Sequence, residues 1–252
     1  MIVAEQKPIE EIREMIAGCK KVMVAGCNTC VAICFAGGEK EAQILASVLT
    51  IAAKKAGENQ EIIDQTVQRQ CEWEFLDQFK ENIADCDAVI SLACGIGIQG
   101  LAERYPNKKV LPGVNTTFLG FPVEAGVWAE RCAACGECIL GITAGICPIA
   151  RCAKSLLNGP CGGSQGGKCE ISPDTPCAWQ LIYDRLKELG LLEAMEKLNA
   201  PKNWSKSSGP RKIVRDDLRI EKDEEKGPKS DVQSPKSNIG SRGRSDEDKG
   251  NG

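Results

Sequence analysis

Histidine is absent from all 252 residues. Any metal site must therefore be all-thiolate or borrow a carboxylate. Imidazole-based catalytic zinc, haem–His ligation and Ser–His or Cys–His nucleophile pairs are excluded. Aromatic residues are scarce at 4%, so a core must be filled by Leu, Ile, Val and Ala or fastened by other means. No apolar run approaches the roughly 20 residues that a membrane helix needs. The first 18 residues are acidic and amphipathic and lack the basic start and apolar stretch of a secretory signal, so the expected compartment is the cytoplasm. A formal net charge of −3 provides no basic field for nucleic acid. Neither a membrane nor a nucleic acid is an expected partner. There is no P-loop, and no carboxylate pair is placed for acid–base work, so no catalytic residue is nominated.

What the chain does have is cysteine: 15 residues, several times the usual frequency. In a reducing compartment this favours metal ligation over disulfides. Hydrophobic periodicity predicts a helix over residues 1–18, strands over 21–25, 62–67, 88–93 and 109–111, and helices over 39–56, 73–84 and 98–104. Gly57 is a natural C-terminal stop for the 39–56 helix. Strands alternating with helices imply an α/β fold with a Rossmann-like parallel sheet, whose ligands sit at the carboxyl ends of the strands. This domain is expected over residues 1–125. Residues 126–200 read as a cysteine-rich, metal-stapled segment ending in a helical piece. That helix should have Thr175 as N-cap, Pro176 at its first position, and Trp179, Ile182, Leu186 and Leu189 on one face. Residues 201–252 are almost free of apolar side chains and are expected to be a disordered tail.

The predicted strands place cysteines. Cys27 and Cys30 follow the first, Cys71 the second and Cys94 the third, so residues far apart in sequence converge on one sheet edge and suit a metal centre. Cys34 competes with Cys71 for membership, although it also reads as a small buried hydrophobe on the following helix. Cys19 and Cys86 read as free thiols. The bland alternative for the whole set is ordinary core cysteines. The second constellation is C-x2-C-x2-C-x8-C-P, formed by Cys132, Cys135, Cys138 and Cys147, followed by Cys152, Cys161, Cys169 and Cys177. Such triplet spacing can wrap three irons of a cubane with a remote Cys-Pro completing it, but x8 departs from the bacterial ferredoxin repeat. Eight thiolates fit two 4Fe-4S clusters, one cluster and one four-cysteine zinc, or two zincs. The run from Gly95 to Gly100 imitates a dinucleotide fingerprint, but it follows a cysteine and reads as a structural turn.

The segment RCAACGECILGITAGICPIARCAKSLLNGPCGGSQGGKCE, then CAWQLIYDRL, resembles the methylenetetrahydrofolate reductase C-terminal-type domain. Upstream, CFAGGEKE, QRQCE and ISLACGIGIQ are similar to the same family. The resemblance covers roughly residues 10–195. It implies the small iron–sulfur subunit of bacterial methylenetetrahydrofolate reductases, a family also associated with zinc and with one-carbon metabolism by the Wood–Ljungdahl route. It further implies that Cys27, Cys30, Cys71 and Cys94 hold one cluster, and that the eight cysteines from 132 to 177 hold the others or a cluster and zinc. Two or three 4Fe-4S clusters, with zinc in at most one four-cysteine site, are expected. FMN or FAD and the folate would belong to a catalytic partner subunit, with a further electron-donor subunit as a second partner. Two alternatives remain at this stage: a zinc-stapled scaffold without redox work, and an electron-transfer module of a hydrogenase or heterodisulfide-reductase complex.

Overall fold

The computed structural model of the protein describes residues 1–207 and 209–218. The chain divides into two compact units, Met1–Gly209 and Pro210–Gly252. The first unit runs β1 (Ile2–Gln6), α1 (Ile9–Met15), β2 (Lys21–Cys27), α2 (Cys30–Ile33), α3 (Glu39–Ala56), β3 (Glu61–Val67), α4 (Trp73–Leu76), α5 (Lys80–Ala84), β4 (Ala88–Ser91), α6 (Gly95–Arg104) and β5 (Lys109–Pro112). It continues with β6 (Val114–Glu124), β7 (Val127–Cys132), α7 (Pro148–Arg151), β8 (Lys168–Cys169), β9 (Ser172–Pro176) and α8 (Ala178–Glu188). In the second unit the described residues hold one turn of 3-10 helix, Asp216–Leu218, with Arg215 paired to Asp217. The remainder of the expected polar tail, residues 219–252, lies outside the described residues.

Four parallel strands in the order β3-β2-β4-β5 form the expected sheet. Its central strands are buried on both faces, as crossover helices require. Side chains alternate between two cores: Val22, Val24, Ala88 and Ile90 join one, while Met23, Ala25 and Val89 join the other. The first core is covered by α1 and α3, the second by the segment from α4 to α6. In α3, buried Ala42, Ala46, Leu49 and Ala53 recur at helical spacing and form the face turned to the sheet. The helix ends at Gly57 in the left-handed conformation with φ 73°, the stop the sequence predicts.

Several expectations are corrected. Residues 1–18 are not one helix. Ile2 and Val3 pair with β6, and Pro8, which lacks an N–H, separates strand from helix. Tertiary pairing of β-branched residues overrides the local amphipathic pattern. The strands β1, β6 and β7 form a second, antiparallel sheet that periodicity does not predict. The 73–84 helix tightens to 3-10 winding at Asp77–Phe79. Three residues per turn keep Leu76 and Phe79 on the same buried side. The last helix starts after Cys177, not Thr175, because Pro176 belongs to β9 and pairs with Lys168 of β8. Trp179, Ile182 and Leu186 of α8 are buried against Ala144, Ile146 and Leu156, whereas Leu189 is exposed.

Candidate metal centres

The strand order fixes where the first set of thiols meets. The chain reverses direction across the sheet at β2, so a crevice opens between the carboxyl ends of β2 and β4, the usual ligand position of such sheets. Cys27 ends β2, Cys30 begins α2, Cys71 follows β3 and Cys94 caps α6. One buried side chain ties three of these loops together. Gln70, fully inaccessible, donates its amide N–H groups to the carbonyls of Ala25 (2.9 Å) and Gly26 (3.0 Å). The Ser91 hydroxyl donates to Gln70 Oε1 (2.7 Å) and accepts the N–H of Ala93 (3.2 Å). The loops that carry Cys27, Cys71 and Cys94 are thus pinned through one amide. Gly37 permits the same convergence, since a Cβ there would fall 2.0 Å from the Leu92 carbonyl oxygen, and its own carbonyl accepts the Cys27 N–H at 2.8 Å.

Electrostatics report the proximity. Partial burial pushes the Cys71 thiol up first, and the neighbouring Cys27 and Cys94 raise it further. That mutual repulsion is what a bound cation relieves. Cys34 points elsewhere: its Sγ donates to the carbonyls of Ala4 (3.6 Å) and Val31 (3.5 Å) inside the first core. Cys86 lies before β4 at the opposite sheet edge and donates to the Asn82 carbonyl at 3.1 Å. Cys19 precedes β2, also on that edge.

In the cysteine-rich segment, β7 delivers Cys132, whose Sγ accepts the Ala134 N–H at 3.4 Å. Ala134 (φ 49°) and Gly136 (φ 82°) are both left-handed around Cys135. A non-glycine residue in that region costs roughly 1–2 kcal/mol and persists only where the surroundings impose it. The Cys135 Sγ donates to the Glu137 carbonyl at 3.6 Å. Cys147 caps α7, which packs on β7 and so returns Cys147 towards Cys132. Arg131 and Arg151 are neighbours here: burial first, then the Arg131 charge, lowers the Arg151 guanidinium, while Cys147 opposes them.

The remaining four cysteines share one cavity. Cys152, Cys161, Cys169 and Cys177 all line it, together with Lys154 and Glu170, and its volume is about 20 Å³. Burial alone would push the Cys177 thiol up. The Ser164 hydroxyl and the N–H groups of Gln180 and Trp179 outweigh it and hold the thiol below its usual value. Cys161 Sγ lies 3.3 Å from Glu170 Oε2, and Lys154 pairs with the same carboxylate at 2.5 Å. Cys152, Cys161, Cys169 and Cys177 thus share one cavity, while Cys132, Cys135, Cys138 and Cys147 lie on β7, the loop after it and the cap of α7. Among the described residues, no three Cys, Asp or Glu side chains are drawn tightly enough to hold a single ion.

Sequence reasoning missed one element of the site. Residues 199–207 form a strap across the 135–138 loop. Asn199 and Asn158 exchange hydrogen bonds (2.8 and 3.3 Å), fastening one end. Glu137 Oε2 accepts the Asn203 N–H at 3.0 Å and lies 3.7 Å from Lys202 Nζ, and Oε1 lies 3.6 Å from Lys206 Nζ. The Asn203 N–H first, then Lys206, holds the Glu137 carboxyl below its usual range. No signal in the sequence marks Lys202, one lysine among many in a polar stretch.

The fold and its thiol-bearing loops define a parallel α/β domain with a cysteine-rich extension. Residues 111–205 of the chain match the family described as methylene-tetrahydrofolate reductase C terminal, so this segment is similar to a domain of that type. The match runs from the end of β5 into the strap and agrees with the resemblance carried by the cysteine motif. No curated protein and no solved structure matches the chain. No helix among the described residues is long and apolar enough to cross a membrane.

Proposed function

We propose that the protein is the iron–sulfur electron-transfer subunit of a methylenetetrahydrofolate reductase complex and works beside a flavin-bearing catalytic subunit. The reading is carried by one observation: loops bearing Cys27, Cys71 and Cys94 are pinned together at the switch point of the sheet, in a chain that also contains a reductase C-terminal-type domain. Cys30 joins this set from the first turn of α2. Cubanes attach each thiolate to a separate iron, so their ligands stand further apart than the roughly 3.8 Å of four sulfurs on one ion with ~2.3 Å bonds. Thiols carried on separate loops suit that demand, and the Ala134 N–H aimed at the Cys132 sulfur is the kind of bond that tunes such a centre.

The set Cys27, Cys30, Cys71 and Cys94 would hold one 4Fe-4S cluster, and Cys132, Cys135, Cys138 and Cys147 a second. Cys152, Cys161, Cys169 and Cys177 line one cavity and would hold a third centre, which we assign to a four-cysteine zinc around which the thiols would draw in. When bound, clusters of this type supply one-electron transfer with little rearrangement. The chain's own residues hold and orient: Gln70 and Ser91 fix the first set, the strap covers the second, and α8 closes the third with Cys177 as its cap. Flavin and folate fall to the catalytic partner, and a donor subunit would feed the electrons.

Iron, acid-labile sulfide and zinc per chain, measured on protein purified without oxygen, test the proposal. About eight irons and one zinc are expected. About twelve irons would keep the relay and replace the zinc by a third cluster. Zinc alone would end the electron-transfer reading and leave a zinc-stapled scaffold.

A further inference from the structure

Lys202 is the outlying feature of the molecule. Its side chain is only 2% exposed, although lysine is almost never buried without a partner. Its ammonium donates to the backbone carbonyl of Glu137 at 2.5 Å and lies over the Trp204 ring at 5.8 Å, while the Glu137 carboxylate stands off at 3.7 Å. The ammonium is therefore held by a carbonyl dipole, a ring face and a carboxylate that it shares with Lys206, so that two cations meet one carboxylate beside the loop. Glu137 sits between Cys135 and Cys138. The strap presses equally close at Gly136, where a Cβ would fall 2.5 Å from the Lys206 carbonyl oxygen.

We propose that Lys202 is a positioning residue for the second metal centre: the strap locks the 135–138 loop through Lys202 and sets a buried cation beside the thiolates of Cys135 and Cys138. The inference rests on the electron-transfer reading above. Reduction adds negative charge to a thiolate-bound centre. A fixed cation that is itself shielded from water, as the Lys202 ammonium is, stabilises the reduced form and raises its potential. A loop held only by its own turn would need no buried ammonium, and removing the cation would leave the Glu137 carboxylate to push the potential further down.

The test uses the full chain purified without oxygen, as wild type, Lys202→Met and Lys202→Arg, with midpoint potentials from dye-mediated titration followed by electron paramagnetic resonance. Lys202→Met is expected to retain iron and to move one centre to a more negative potential, leaving the other in place. The moved signal is the one that Cys138→Ser removes, and Lys202→Arg restores the wild-type value. Unmoved potentials in Lys202→Met at full iron content overturn the inference while the relay stands. Should Lys202→Met shed iron, retention by Lys202→Arg upholds the inference and loss from both overturns it. A wild-type chain with no reducible centre overturns the parent reading and this inference together.

Discussion

Replacing Gln70 by Leu removes the pin of the first centre while keeping side-chain volume close to that of the original. Three hydrogen bonds disappear: two to the carbonyls of Ala25 and Gly26, and one from the Ser91 hydroxyl. Each buried bond contributes about 1 kcal/mol net, and an orphaned partner costs about 1–3 kcal/mol. The Ala25 carbonyl keeps the Leu92 N–H at 2.9 Å, which softens that part of the loss. The expected destabilisation is about 2–3 kcal/mol, a large share of the roughly 5–15 kcal/mol that holds a typical domain. With a urea slope near 2–3 kcal/mol/M, the midpoint should fall by about 1 M. The assay is urea unfolding followed by circular dichroism, comparing wild type and variant at equal metal content so that metal linkage cancels. Ser91→Ala in the same series gives a double-mutant cycle, in which coupling of about 0.5 kcal/mol or more is expected because the two side chains share a bond. A midpoint shift under about 0.3 M, or strictly additive variants, would refute the assignment of Gln70 as the tie between the loops.

Two further outcomes follow from the geometry. Cys71→Ala should lower the iron content by one centre, about four irons, while Cys34→Ala leaves it unchanged, because the Cys34 thiol is bonded inside the core; loss from Cys34→Ala with none from Cys71→Ala would overturn the ligand assignment. Asp87 accepts the backbone N–H groups of Lys21 (3.0 Å) and Lys20 (2.6 Å), the first-named bond contributing most to holding its carboxyl below the usual range. A carboxyl lowered in the folded state stabilises above its unfolded value near 4 and loses that contribution as pH falls through the folded value. Asp87→Asn should thus be less stable than wild type at neutral pH, and the gap should close in acid; a gap independent of pH from 7 to 3 would contradict this.

How much was legible beforehand can be judged from particular residues. The alternation of Val22, Met23, Val24 and Ala25, the Ala-rich face of α3 and the stop at Gly57 were all readable, because each depends on near neighbours and one repeating period. The absence of histidine and the abundance of cysteine narrowed the chemistry to thiolates without any structure. The motif around Cys132, Cys135 and Cys138 pointed to the domain type that residues 111–205 match. By contrast, the pairing of β1 with β6 joins residues more than 100 positions apart, and no local pattern records it. The same holds for Gln70 beneath the three loops, for the gathering of Cys152, Cys161, Cys169 and Cys177 around one cavity, and for Lys202 on the 135–138 loop. In each case a polar or cysteine side chain takes its role from the surface it meets after the chain has closed on itself. Sequence alone decided the elements of the parallel sheet and which atoms could bind metal; tertiary structure decided the second sheet and which of those atoms meet, because burial and hydrogen bonding over long separations are set only when distant surfaces pack.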